Sequence, residues 1–572
     1  MNHPFAIPAS IRPSSRREFL LRSAGLFCVG ATARSQQVAR GEIVYDLLIK
    51  NGRVIDGTGS PGVVGDVAIA GDTIAAVGAL DGSAKQTIDA TGLTVTPGFI
   101  DLHTHSDFQF FVDSTADSKI VDGVTLEFVG NCGLSFCAPL IGRSREDLDT
   151  RVRWYATGWK PHWTSFAGYM EALEKTGKTL NVVTQIGHGT VRKAVLGMET
   201  RAPDPGELRR MQSLVTEALD AGARGFSTGL SMAPGVFSMT SEVIALAREA
   251  GKRGLTYSTH ARDSGDEGAG LYVALEEALE VGRRTGAKVQ VSHLKCNGST
   301  RGTSAKLLRR IEEARDEGVN VAADQYPYIA ASGPMSGNVY PRWAVEGSWE
   351  KALERAKDPA LRAEIRAHLS ERASSIGGFD RLMVASHPAT PKYQGMSIPD
   401  IAKDMRCEPA EALVRLFEQY DTQLILSGMA EADVDRIAAH PLVAVGSDGS
   451  SVKSTGPLSA GNPHPRGYGT YGRFMRVMVR EKRLVSLEEA VRKMTSLPAE
   501  RIGLTRRGRL APGYFADLAV FRAEAFTDKA TFTQPHRYSV GMEHVLVNGR
   551  AVVTHGKSTG ATPGRVVRRS GE

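Results

Sequence analysis

Short apolar runs recur along this chain, and each ends on a polar residue able to bind a metal or a substrate. Leu93 to Thr96 leads into Pro97-Gly98-Phe99-Ile100-Asp101-Leu102-His103-Thr104-His105. Val124 to Val129 leads into Asn131-Cys132-Gly133, and Val182 to Ile186 into Gly187-His188. Arg224-Gly225-Phe226 leads into Ser227-Thr228-Gly229, and Leu255 to Ser258 into His260. Val289-Gln290-Val291 leads into Ser292-His293-Leu294-Lys295, and Val319 to Ala323 into Asp324 and Tyr326. The eighth run, Leu442 to Val445, leads into Ser447-Asp448. Amphipathic stretches lie between several of them. In one, Leu208, Met211, Leu214, Val215, Ala218 and Leu219 recur at helical spacing; in another, Val243, Leu246 and Ala247 are stopped by Gly251. Strand-helix alternation implies a parallel sheet. Eight such units with functional residues at the strand carboxyl ends predict a (β/α)8 barrel with its site at the top.

His103 and His105 are two residues apart on an extended segment, so both imidazoles face one side. Imidazole, thiolate and carboxylate are all zinc ligands. His103, His105, Cys132, His260, His293 and Asp448 come from the ends of strands one, two, five, six and eight, and can converge at one mouth. A soft thiolate favours zinc over magnesium. Such a metal lowers the pKa of its bound water and polarises a carbonyl, and Asp448 is placed as general base and then general acid. Lys295, two residues beyond His293, can bring a cation beside the metal, which suits a substrate carboxylate. Arg466 is a second such candidate, and His188 a weaker hydrogen-bonding one.

These residues resemble the amidohydrolase superfamily, and within it the D-aminoacylases (N-acyl-D-amino-acid deacylases). The carriers are the Pro97 to His105 motif, Gly130-Asn131-Cys132-Gly133-Leu134-Ser135, Ser227-Thr228-Gly229-Leu230, His260-Ala261-Arg262, Ser292-His293-Leu294-Lys295 and Gly446-Ser447-Asp448-Gly449. His464-Pro465-Arg466-Gly467-Tyr468-Gly469-Thr470 and Met494-Thr495-Ser496-Leu497-Pro498-Ala499 complete them. The resemblance implies amide hydrolysis of an N-acyl-D-amino acid. It implies that Cys132, His260 and His293 hold a tight zinc ion, while His103, His105 and Asp448 line a second, weaker position. It also implies that Lys295, Tyr326 and Ser332 bind the substrate carboxylate. Many superfamily members carry a bridging lysine on strand four; Ser227 and Thr228 stand there, so Cys132 must supply the negative charge. Ser231-Met232-Ala233-Pro234 departs from the aromatic found in relatives, which leaves the acyl and side-chain preference open. The competing readings are a dipeptidase-, dihydropyrimidinase- or lactonase-like hydrolase and a non-catalytic scaffold. Cyclic amidases usually keep the missing lysine, and a scaffold has no reason to keep all six ligands.

At 572 residues the chain suits a decorated barrel with a satellite. Residues 1–33 read as a twin-arginine signal, with Ser15-Arg16-Arg17-Glu18-Phe19-Leu20, an apolar stretch, and cleavage near Ala33, implying export to the periplasm. That segment holds +3 of the +7 net charge, and the remainder is too small to argue for nucleic acid. No apolar run is long enough for a membrane span. Five cysteines do not make a disulfide framework. Segments 43–95 and 505–556 read as short strands with Gly turns, including Asn51-Gly52 and Asn548-Gly549, and should pair into a composite β-sandwich. The barrel then spans 96–504, with an insertion at about 332–395 lying over the mouth.

Overall fold

The structure is a computed structural model that describes residues 44–154, 158–262, 270–347 and 349–569. The twin-arginine segment lies outside the described residues. Eight parallel strands follow one another in chain order. They are Phe99–Asp101, Val124–Val129, Asn181–Thr184 continued by Ile186–Gly187, Gly225–Gly229, Thr256–His260, Lys288–Val291, Val321–Gln325 and Val443–Val445. Strands one and eight close the ring through a parallel bridge between Thr104 and Gly449. There Asp448 N–H donates to His103 O at 2.8 Å, and His105 N–H donates to Gly449 O at 3.0 Å. Strand two is buried at every residue, as a barrel strand covered on both faces must be.

The helices between strands bury the stripes that the sequence spacing marks. Pro205–Asp220 starts at a capping box, Asp204 with Glu207, and has proline in its first turn. Its buried residues are Met211, Val215, Ala218 and Leu219. Thr240–Gly251 ends at the expected glycine. Ser486 caps Leu487–Met494 by accepting from Glu489 N–H.

A nine-stranded sheet interleaves the two ends of the described chain. Thr94–Pro97 pairs parallel with Val44–Val54 on one side and antiparallel with Leu518–Phe521 on the other. Ile49, Val67, Ile69, Val95, Leu518 and Leu546 form its own apolar cluster, while Phe521, Val545 and Val547 join the barrel core. Asn548 and Gly549, both left-handed, turn the hairpin between Met542–Val547 and Arg550–Thr554. Asn51-Gly52 does not turn the chain as expected. The strand Val44–Val54 runs through it, and Asn51 sits left-handed where the register shifts, which is a bulge. A Cβ on Gly52 would meet Val95 Cγ2 at 2.5 Å, so close strand packing explains this glycine.

Between strands seven and eight, an antiparallel sheet of Ala331–Pro334, Gln423–Leu426 and Leu382–Ser386 carries its own helices. This excursion continues past the expected end near 395. Ile398 and Ile401 of Ile398–Met405, and Leu413, Leu416 and Phe417 of Pro409–Gln419, bury in the cluster around Leu382, Val384 and Leu424 rather than in the barrel. It touches the barrel loops at the strand carboxyl ends. Asn297 bridges to Met429, and Met232 packs so closely on Gly337 that a Cβ there would meet Met232 Cγ at 2.9 Å.

Candidate metal centre

Two donor groups meet at the carboxyl ends of the barrel strands: His103, His105, Cys132 and Asp448, and Cys132, His260 and His293. Within each group the donor atoms lie within 4.8 Å of one another, and Cys132 belongs to both. Cys132 Sγ is 3.3 Å from His103 Nε2 and 3.4 Å from His293 Nε2. Asp448 Oδ1 is 3.1 Å from His105 Nε2 and 3.4 Å from His103 Nε2. Cys132, His293 and Asp448 all hold positive φ, at 54°, 35° and 51°. Such backbone costs about 1–3 kcal/mol per non-glycine residue and clusters at functional sites. The glycines around Cys132 allow the close approach: a Cβ on Gly130 would fall 2.2 Å from Gln185 O.

Electrostatics favour the ligating forms of the anionic groups. Burial would raise the Cys132 thiol, but the His103 ring, with a hydrogen bond from His105, outweighs it and holds the thiol well below its usual range. Burial also opposes ionisation of Asp448, yet the Arg466 guanidinium at 2.8 Å, with the hydrogen bond from His105, holds the carboxyl well below the usual value. His105 is pushed up to about 9, since the Asp448 carboxylate and Cys132 overcome its burial. Burial and the nearby Lys295 ammonium push His293 down to about 4.

Lys295 is buried, and its Nζ lies 2.9 Å from His293 Nδ1. Burial, with Arg466 nearby, lowers it to about 8. Tyr326 is buried, and the Arg466 guanidinium stacks 4.8 Å from its ring centroid. Ser332 lies on the insertion strand Ala331–Pro334, and its carbonyl accepts from Arg466 Nη2 at 3.2 Å. His188 turns away from this chemistry. Its Nε2 is 2.8 Å from Glu242 Oε1, a carboxylate that also pairs with Arg192.

Two further groups orient the ligands: Asp324, which the sequence marks only as a strand-end polar residue, and Ser231. Asp324 Oδ1 accepts from His103 Nδ1 at 3.0 Å and from His293 N–H at 2.7 Å, while Gln290 holds its other oxygen at 2.9 Å. A carboxylate behind a ligating imidazole fixes the tautomer that presents Nε2 forward. Asp324 is the penultimate residue of strand seven, two residues before Tyr326, so its position near a strand end was the available signal. Ser231 Oγ lies 2.7 Å from His260 Nε2.

A thiol held toward thiolate, imidazoles and an ionised carboxylate, gathered this closely and largely buried, fit a zinc-like divalent ion. Comparisons with known proteins agree. The amidohydrolase family matches residues 86–553. The chain is 38% identical to N-acyl-D-glutamate deacylase of Alcaligenes xylosoxydans xylosoxydans, over 92% of this chain and 96% of that one. It is 34% identical to D-aminoacylase of the same organism, over 92% and 98%. The crystal structure of N-acyl-D-glutamate deacylase from Bordetella bronchiseptica, complexed with zinc and a phosphonate mimic of the tetrahedral intermediate, superposes with a TM-score of 0.77. That pair shares 34% identity over 92% of this chain and all of that one.

Proposed function

The chain belongs to the amidohydrolase family, and from that premise we propose that it is a zinc-dependent deacylase that cleaves N-acyl-D-amino acids to a carboxylate and a free D-amino acid. The observation that carries this reading is the pair of donor groups sharing Cys132, with Asp448 in one of them. Cys132, His260 and His293 would hold the tighter ion, and His103, His105 and Asp448 the weaker position. Zinc, when bound, polarises the substrate carbonyl and lowers the pKa of the attacking water. Asp448 accepts a proton from that water as its oxygen adds to the carbonyl carbon. Arg466 keeps the carboxyl ionised for this role. When the C–N bond breaks, Asp448 returns the proton to the leaving nitrogen, so the residue ends as it began. Lys295 and Arg466 place two cations at the mouth for the substrate's α-carboxylate, with Tyr326 and Ser332 beside them. The D configuration follows the relatives, which act on N-acyl-D-glutamate and N-acyl-D-aspartate by their names.

A panel of N-acetyl-D- and N-acetyl-L-amino acids, assayed with and without added zinc, tests the proposal. Zinc-dependent release of the D-amino acids supports it. Turnover confined to cyclic amides or lactones would replace it. Export is a further part of the proposal, supported by the Ser15 to Leu20 motif and the small residues ending at Ala33. Periplasmic fractionation and N-terminal sequencing of the mature protein test that part.

A further inference from the structure

Beside strands one, two and eight, a buried ammonium gathers acids that the hydrolysis itself does not use. Lys119, on the short helix Asp117–Ile120, is 2% exposed. Its Nζ lies 2.8 Å from Asp101 Oδ2, 2.7 Å from Ser447 Oγ and 3.4 Å from Glu127 Oε1. Asp101 ends strand one, Glu127 lies on strand two, and Ser447 immediately precedes Asp448.

The links continue on both sides of the site. Ser447 Oγ accepts from Gly449 N–H at 3.0 Å, and Ser447 N–H donates to Asp101 Oδ1 at 2.9 Å. Glu127 accepts from Ser106 Oγ and from Ser451 Oγ, both at 2.9 Å. The residues on either side of Asp448, and the one after His105, are therefore tied to one charged cluster. Asp122, the other acid near Lys119, is satisfied elsewhere, by Tyr471 N–H, Gly472 N–H and Ser539 Oγ. Asp448 needs such restraint, because its left-handed backbone is one that a non-glycine residue adopts only when its surroundings impose it.

We propose that Lys119, acting through Ser447, is a positioning residue that holds the Asp448 carboxylate where water meets the substrate carbonyl. This rests on Asp448 being the base, so its test includes a readout that needs no substrate. Ser447→Ala removes the direct hydroxyl link to Lys119 but leaves the backbone bond to Asp101 and the pairing of Lys119 with Asp101 and Glu127. Misplacing a catalytic group by about an ångström costs up to about a hundredfold, so kcat should fall about ten- to a hundredfold with KM and the melting curve nearly unchanged. Zinc titration should find the position lined by His103, His105 and Asp448 weakened about tenfold, and the Cys132, His260 and His293 position unchanged. Ser447→Thr keeps the hydroxyl and should restore both. Ser447→Cys, nearly isosteric but a weak acceptor, should fall between them, and it replaces the alanine variant if that one does not fold.

A folded Ser447→Ala protein with kcat within about threefold of the parent would overturn the assignment. So would a loss that the threonine variant does not rescue, or an unchanged zinc titration. Should the parent hydrolyse no N-acyl-D-amino acid, the functional reading falls alone, and the zinc titration still decides the role of Lys119.

Discussion

The two donor groups share Cys132 but are braced differently. His260 ends strand five and His293 follows the neighbouring strand six, and side chains from the loops after strands four and six meet their rings. Ser231 Oγ reaches His260 Nε2 at 2.7 Å, and Lys295 Nζ reaches His293 Nδ1 at 2.9 Å. His103, His105 and Asp448 instead span the closure of the barrel, where the first and last strands meet. They depend on backbone bonds across that seam and on a buried charge cluster joining three elements. The difference separates two tasks. On the proposed reading, the first group would hold the tighter metal, and the braced seam would hold a base whose position must not drift. Electrostatic shifts follow the same division, since burial and Lys295 keep His293 from protonating while Asp448 is held ionised.

The largest effect should come from the atom that both groups share. Cys132→Ala should strip zinc from both positions and bring turnover to background, as elemental analysis and kinetics would record. Normal zinc with normal activity would end the comparison, because the groups would then not be joined through sulfur. Asp448→Asn should break only the seam. Its amide cannot take a proton, so kcat should fall on the order of 10²–10⁴, while the Cys132, His260 and His293 zinc remains. A variant within a few-fold of the parent kcat would assign the base elsewhere. Asp324→Ala removes the carboxylate that touches one ligand in each group. Metal affinity should drop about ten- to a hundredfold at both positions, and loss at one alone would show which group depends on it. The smallest effect should come from Lys295→Met, and it should be selective. A charge-assisted bond contributes roughly 1.5–3 kcal/mol, about ten- to a hundredfold in kcat/KM, for N-acyl amino acids. The matching N-acyl amino amides, which lack the carboxylate, should lose much less. Equal losses for both would make Lys295 a support for His293 rather than a substrate contact.

The features legible in the sequence are those written locally. Each barrel strand is a short apolar run, and its terminal polar residue follows within a few positions, so the strand ends announce themselves. His103 and His105 are two residues apart, and no knowledge of the fold is needed to see that they act together. The supporting contacts were not legible, because their partners are distant. Lys119 and Ser447 are separated by 328 residues, and His103 and Asp324 by 221. No spacing rule connects such pairs until the barrel has closed. Asn51-Gly52 shows a second kind of failure. The same dipeptide makes a hairpin at Asn548-Gly549 and a bulge at Asn51, and the choice is set by what lies beside it, Val95 in the second case. The insertion was underestimated for a related reason. Its later helices carry ordinary amphipathic faces, and only packing reveals that these serve a separate core.

One measurement bears most directly on the central claim, that a zinc centre joined through Cys132 deacylates N-acyl-D-amino acids. The protein would be stripped of metal, titrated with zinc, and assayed for kcat/KM on N-acetyl-D-glutamate and its L enantiomer. The account predicts that activity toward the D substrate returns as the first equivalent of zinc binds, with the L enantiomer left intact. Zinc bound at full stoichiometry without hydrolysis of any N-acyl-D-amino acid, or equal rates on both enantiomers, would contradict it.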